Sequence, residues 1–219
     1  MIKISYKKLV KKLEITKKLE KKDGIITSSE IKEYCANTNI NLKYNNAISY
    51  LLNNNYLERI FRGIFYIRSL DEKKNNTSNI NYIETLSKAL KLKNINKWYF
   101  GLESALKLNS LTHETFVVET IINDKIKNNS PIKILARKTK LTKINSIKFT
   151  FGIKKEKINN ETYYYSDPER TLLDIAFLLK YNNKKIHEIK NKLADYEYDK
   201  NKLNNYLKYY PKTLKEIFK

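Results

Sequence analysis

The stretch YLERIFRGIFYI, residues 56–67, decides the fold of the first part of the chain. Two β-rich runs meet at Arg62-Gly63, the composition of a tight hairpin. Working upstream, the pattern changes to helix. Ile4 to Lys22 sets Tyr6, Leu9, Val10 and Leu13 at helical spacing, with Asp23-Gly24 as the stop. The run TSSEIKEYC, residues 27–35, offers Thr27 as N-cap and Glu30 as its reciprocal partner, which predicts a short second helix. A third helix opens at Asn41 or Lys43 and runs through Asn54. Its inward side is Ala47, Ile48, Leu51 and Leu52, and its opposite side is Asn46, Ser49, Tyr50 and Asn53. Three short helices followed by a hairpin spell a winged helix-turn-helix over residues 1–72.

In that architecture the third helix enters the major groove of DNA and the hairpin reaches the backbone or an adjacent groove. The candidate DNA-binding residues are therefore Lys43, Tyr44, Asn46, Ser49, Tyr50 and Asn53 on the helix, and Arg59, Arg62 and Arg68 on the wing. Asn can read adenine through two hydrogen bonds, and Arg clamps phosphate better than Lys does. Winged helices also serve as protein-interaction modules, and Asn on an exposed face is ordinary in an Asn-rich chain. The arginines of the wing, in a chain whose basic residues are mostly Lys, favour DNA.

The net charge of +21 over 219 residues, with a pI near 9.7, fits a polyanionic partner, because Lys and Arg gain affinity for phosphates by releasing condensed counterions. A Lys-, Asn- and Ile-rich composition also follows from coding bias in an AT-rich genome, so charge alone is weak evidence. Residues 75–160 carry 16 basic and 6 acidic side chains, which makes the middle the most basic part. The single cysteine, Cys35, excludes an internal disulfide and fits a reducing cytosol. The N-terminal residues lack an uninterrupted apolar core, and no apolar run is long enough to span a bilayer. A cytoplasmic protein without a membrane partner is expected.

The polar run DEKKNNTSN, residues 71–79, sets the expected boundary: a linker at 73–79 and a second domain over 80–219. Tyr82 to Leu92 reads as helix. KWYFGLESALKLNSL supplies an aromatic cluster, a Gly and a further helix around Leu102, Ala105, Leu106 and Leu108. Four strand-like runs follow, TFVVETII, PIKILARK, IKFTFGIKK and ETYYYS, and then helices in which Ile186, Ile189 and Leu193 share one face, with a helical tail after Pro211. The expected class is α+β: a winged helix-turn-helix, then an α+β domain with a largely antiparallel sheet and C-terminal helices.

No catalytic set emerges. His113 and His187 are far apart in sequence, Cys35 lies in the other domain, and the four glycines, Gly24, Gly63, Gly101 and Gly152, are too scattered for a phosphate loop. A metal-dependent nuclease would want an acid and a Glu-x-Lys triplet on a sheet. The triplets here, Glu20-Lys22, Glu30-Lys32, Glu72-Lys74 and Glu188-Lys190, fall in predicted helices or the linker. Neither a cofactor nor a metal is expected, and a nuclease targeted by the winged helix stays as the alternative, beside a stand-alone transcriptional regulator or adaptor.

The run SDPERTLLD, residues 166–174, concentrates charge against apolar residues. Ser166 as N-cap places Glu169 at the third helical position, where the two can satisfy each other's backbone donors, with Pro168 harmless in the first turn. Arg170 and Asp174, one turn apart, can pair while Leu172, Leu173, Ala176 and Phe177 are buried. Capping and an internal ion pair explain the run without acid–base chemistry.

Together these motifs resemble the AbiEi-type abortive-infection antitoxins. The N-terminal runs GIITSSEIKEYC and YLERIFRGIFYI are similar to that family's winged helix, whose wing ends in an Arg-Gly-aliphatic-aromatic tetrad, here Arg62-Gly63-Ile64-Phe65. FGLESALKLNSLT, residues 100–112, and SDPERTLLD resemble two segments of its second domain. Beyond Tyr181 no family pattern is visible, and the third helix is richer in Asn and poorer in basic residues than the family's. The resemblance implies a type IV antitoxin and autorepressor, active in phage defence. Its winged helix would bind inverted repeats of double-stranded DNA in its own promoter. Its C-terminal domain would counter a nucleotidyltransferase-like toxin without a stable complex.

Overall fold

The computed structural model describes residues 2–19, 24–37, 42–77, 80–135, 137–144, 149–158 and 161–219. It is a mixed α+β structure in two compact units, Met1–Lys93 with Lys133–Ala136, and Asn94–Ile132 with Arg137–Lys219. Among the described residues, no helix is long and apolar enough to cross a membrane.

The first unit begins with α1 (Ile2–Leu19), β1 (Ile25–Thr27), α2 (Ser28–Asn37) and α3 (Tyr44–Asn53). The expected capping box forms: Thr27 N–H donates to Glu30 Oε2 at 2.8 Å, and Glu30 N–H to Thr27 Oγ1 at 3.4 Å. Asp23 and Asn41, expected at helix ends, lie outside the described residues. The hairpin forms as β2 (Leu57–Phe61) and β3 (Ile64–Ile67), antiparallel, with Gly63 at φ 82° supplying the left-handed backbone of the turn. The three-residue strand β1 adds to β3, with Ile26 opposite Phe65, in the order β1-β3-β2. So short a run has no alternation to betray it. Leu9, Leu13, Ile31, Ala47, Leu51 and Phe65 close the core between helices and sheet; burying each large apolar side chain contributes about 1.5–3 kcal/mol.

The polar run expected as a linker is instead anchored. Ser69 and Glu72 form a reciprocal capping box for α4 (Leu70–Asn75). Glu72 is buried, accepts from the Tyr66 hydroxyl at 2.6 Å, and pairs with Lys17. A carboxylate withdrawn from water needs such partners, and polarity alone could not show that they exist. The two units divide after α5 (Tyr82–Leu92), at Lys93, rather than at residues 73–79.

The second unit contains β4 (Trp98–Phe100), α6 (Leu102–Leu108), β5 (Val118–Asn123), β7 (Arg137–Lys143), β8 (Ile153–Ile158), β9 (Glu161–Ser166), α7 (Pro168–Tyr181), α8 (Ile186–Leu193) and α9 (Lys200–Leu207); β6 (Ile132–Ile134) spans a point where the two units divide. The strand order is β7-β5-β4-β9-β8. The pairs β4–β5 and β8–β9 are antiparallel, whereas β5–β7 and β4–β9 are parallel. The sheet is mixed, which corrects the expectation of a largely antiparallel one. The parallel pairings are β7 on β5 and, at Phe100 beside Tyr165, β4 on β9; β4 reads from sequence only as an aromatic cluster. The helical tail after Pro211 is a short 3-10 helix, Lys212–Glu216. Leu106, Leu172, Leu173, Ile189, Leu203 and Leu207 pack α6–α9 into one core.

Candidate nucleic-acid interface

The two sides of helix α3 differ sharply. Ala47, Ile48 and Leu51 are buried, while Asn46, Ser49 and Asn53 are exposed on the other side. The helix carries no charged residue, and Lys43, exposed at its N-cap position, offers no side-chain cap to the first-turn N–H groups. Three small polar side chains are presented to solvent.

The two tyrosines expected on this face have intramolecular roles. The Tyr50 ring stacks on Tyr6 of α1 with centroids 4.1 Å apart, and on Tyr56 at 6.2 Å. The Tyr44 hydroxyl donates to Ser28 Oγ at 2.7 Å, and the Lys32 ammonium lies 5.1 Å from its ring centroid. They brace α3 against α1 and α2. The Tyr6–Tyr50 stack also brings the start of α1 beside α3, where Lys7 and Lys8 are exposed. Sequence reasoning missed these two cations; the stack joins residues 44 positions apart, so no local pattern could have signalled it.

The three hairpin arginines separate into two kinds. Arg59 and Arg62 are exposed; Arg59 reaches over the Phe65 ring, with its guanidinium carbon 5.8 Å from the centroid. Arg68 is committed: Nη2 donates to Glu58 Oε2 at 2.7 Å, Nε donates to the same oxygen at 3.2 Å, and Nη1 donates to Asn76 Oδ1 at 3.0 Å. It ties the end of the hairpin to the end of α4. Nothing in the sequence distinguishes it from Arg62, because its partners become neighbours only in the folded unit.

In the second unit the SDPERTLLD run builds a buried cluster, with one correction. The N-cap of α7 is Asp167, whose Oδ1 accepts Arg170 N–H at 2.9 Å. Pro168 opens the helix, and the residue before a proline favours extended backbone; Asp167 has φ −68° and ψ 171°. Ser166 lies one residue too early and shares a hydrogen bond with the Thr171 hydroxyl at 2.7 Å. Glu169 accordingly does not turn back to Ser166. Its Oε1 accepts from Asp199 N–H at 3.0 Å, and its Oε2 lies 2.7 Å from the Lys202 ammonium, which also reaches Asp167 Oδ2 at 3.0 Å.

The expected Arg170–Asp174 pair forms, with Nε 3.5 Å from Oδ2, but both side chains are buried and belong to a larger network. Arg170 Nη2 donates to the Tyr99 hydroxyl at 2.7 Å, and that hydroxyl donates to Asp174 Oδ2 at 2.9 Å. The Tyr210 hydroxyl donates to Asp174 Oδ1 at 2.6 Å, and Nη1 donates to the Phe151 carbonyl. The guanidinium also lies 4.5 Å from the Tyr99 ring centroid and 4.6 Å from that of Phe151. Burial and then the charge of Asp174 hold both tyrosines well above the ordinary phenol pKa, so they stay protonated donors. Gly152, at φ 59°, leaves the space: a Cβ there would come within 2.8 Å of Arg170 Cβ. The network joins β4, α7 and the end of the chain, and its polar atoms are turned on one another rather than toward a substrate.

Among the described residues, no group of three or more His, Cys, Asp or Glu side chains is placed to hold a metal ion. Comparison of the chain with protein-family models gives no match, and comparison with curated proteins gives none either.

Proposed function

We propose that the first unit is a winged helix that binds double-stranded DNA, with Asn46, Ser49 and Asn53 reading base edges and Arg59 and Arg62 contacting phosphates. The observation that carries this reading is the two-sided α3: three exposed small polar side chains, opposite a buried apolar face and next in sequence to a hairpin with two exposed arginines. Supporting it are the basic balance of the chain and the exposed Lys7 and Lys8 at the start of α1.

The protein acts, in this reading, as a cytoplasmic repressor of its own operon, and its second unit counters a nucleotidyltransferase-like toxin encoded beside it without forming a stable complex. The resemblance of the Arg62–Phe65 tetrad and of SDPERTLLD to the AbiEi-type antitoxins supports this part. Footprinting on the DNA upstream of its own gene tests the repressor half, and protection of an inverted repeat is expected. Co-expression with the neighbouring gene tests the antitoxin half: growth arrest relieved by the whole chain, but not by an Arg170→Ala variant, is the expected result. No protected site and no relief of growth would overturn the reading.

A further inference from the structure

The second unit carries a half-open cavity of about 1010 Å³ that none of the groups above uses. Its floor is the parallel pair β5 and β7, whose register sets Thr120 beside Lys140 and Ile122 beside Thr142. The last turns of α7 form a wall with Ile175, Phe177 and Leu178. The volume is at the upper end of the small-ligand range of roughly 300–1,000 Å³, and apolar walls with a few polar groups are the usual make-up of such sites.

The charged groups are predominantly of one sign. Lys127, Lys140, Lys143 and Lys192 line the cavity against the single carboxylate of Glu103. Lys140 stands half-buried on the floor, and among the described residues no hydrogen bond or ion pair engages its ammonium, unlike those of Lys17, Lys88 and Lys202. A cation partly withdrawn from water is stabilised by an anion. The C-terminal carbonyls of α7, which would otherwise favour a cation here, are taken by the N–H groups of Asn182, Asn183 and Lys184. Leu102, at the cavity edge, holds a left-handed φ of 53°, a conformation costly for leucine and of the kind that gathers at ligand sites.

We propose that this cavity binds an amphipathic anion, a small molecule whose apolar body lies against α7 and whose carboxylate or phosphate head pairs with Lys140 and Thr142. The site is independent of DNA binding.

Calorimetric titration of the full chain with decanoate, below its micellar concentration, tests it. One saturable site is expected, with the uncharged decanol at least about tenfold weaker, the scale of one charge-assisted contact. Decyl phosphate in parallel distinguishes the head groups: the tighter of the two anions identifies the natural class. Lys140→Met should weaken decanoate about tenfold while keeping the wild-type unfolding midpoint, and Thr142→Val serves as a second variant should that protein fold poorly. Lys155→Met, on β8, should leave affinity unchanged. Absence of saturable binding, equal affinity for decanol, or equal losses from Lys140→Met and Lys155→Met would overturn the proposal.

Discussion

The Arg170 guanidinium donates to the Tyr99 hydroxyl at 2.7 Å across 71 residues of sequence, and that hydroxyl in turn donates a hydrogen bond to Asp174 Oδ2 at 2.9 Å. The pair ties α7 to β4. It converts a charged segment that looks catalytic into an internal brace. Breaking a buried ion pair by removing one partner leaves an uncompensated charge, which costs about 3–5 kcal/mol. Arg170→Ala is therefore expected to lower the stability of the second unit by that amount, measured by urea unfolding. Tyr99→Phe should cost about 1–3 kcal/mol, the penalty for leaving buried polar partners unsatisfied. A loss under 1 kcal/mol for Arg170→Ala would show that the network is not a brace.

Acid should loosen the same region through Glu169. Burial opposes its charge, but Lys202 and the N–H of Asp199 outweigh that and hold the carboxyl below the ordinary range. A folded-state pKa below the unfolded value of about 4.3 means stability that is present above pH 4.3 and is lost as pH falls through the folded value. Unfolding midpoints measured from pH 6 to pH 3 should fall more steeply for the wild type than for Glu169→Gln. Parallel curves would contradict the assignment.

The hairpin arginines should behave differently from one another. Arg62→Ala is expected to weaken binding to all DNA alike and to reduce the salt slope by about one unit, as loss of one phosphate contact does. Arg68→Ala should instead lower stability, because its guanidinium is held by Glu58 and Asn76. Salt-slope measurements on both variants check the distinction.

Substitution on α3 should affect sequence preference. Asn46→Ala or Asn53→Ala is expected to lose about 1–3 kcal/mol on the cognate site and little on unrelated DNA, because base-edge contacts carry discrimination. Equal losses on both duplexes, measured by competition titration, would mean that another element reads the bases.

What the sequence could carry depended on range. The hairpin at Gly63, the Thr27–Glu30 box and the two sides of α3 arise within a few residues, so spacing and turn chemistry sufficed. The Arg170–Asp174 pair was legible for the same reason, being one helical turn apart. The Asp167 cap was legible too, since Pro168 opens the helix and the residue directly before it favours extended backbone, but the Ser-x-x-Glu spacing points to Ser166 instead. β1 and β4, three residues each, are held by pairing with distant strands, and the mixed character of the sheet lies in the parallel β5–β7 and β4–β9 pairings, which no local pattern signals. The committed role of Arg68, the Tyr6–Tyr50 stack and the cavity over β5 and β7 all depend on partners far away in sequence.

The central claim is that the first unit reads DNA sequence, and a binding titration on the full chain tests it most directly. Labelled duplexes of equal length, one from upstream of the protein's own gene and one unrelated, would be titrated at two salt concentrations with the wild type and Asn46→Ala. The account predicts tighter binding to the upstream duplex that persists at the higher salt and is reduced to the level of the unrelated duplex by Asn46→Ala. Equal binding to both duplexes, abolished by salt and indifferent to Asn46, would contradict it.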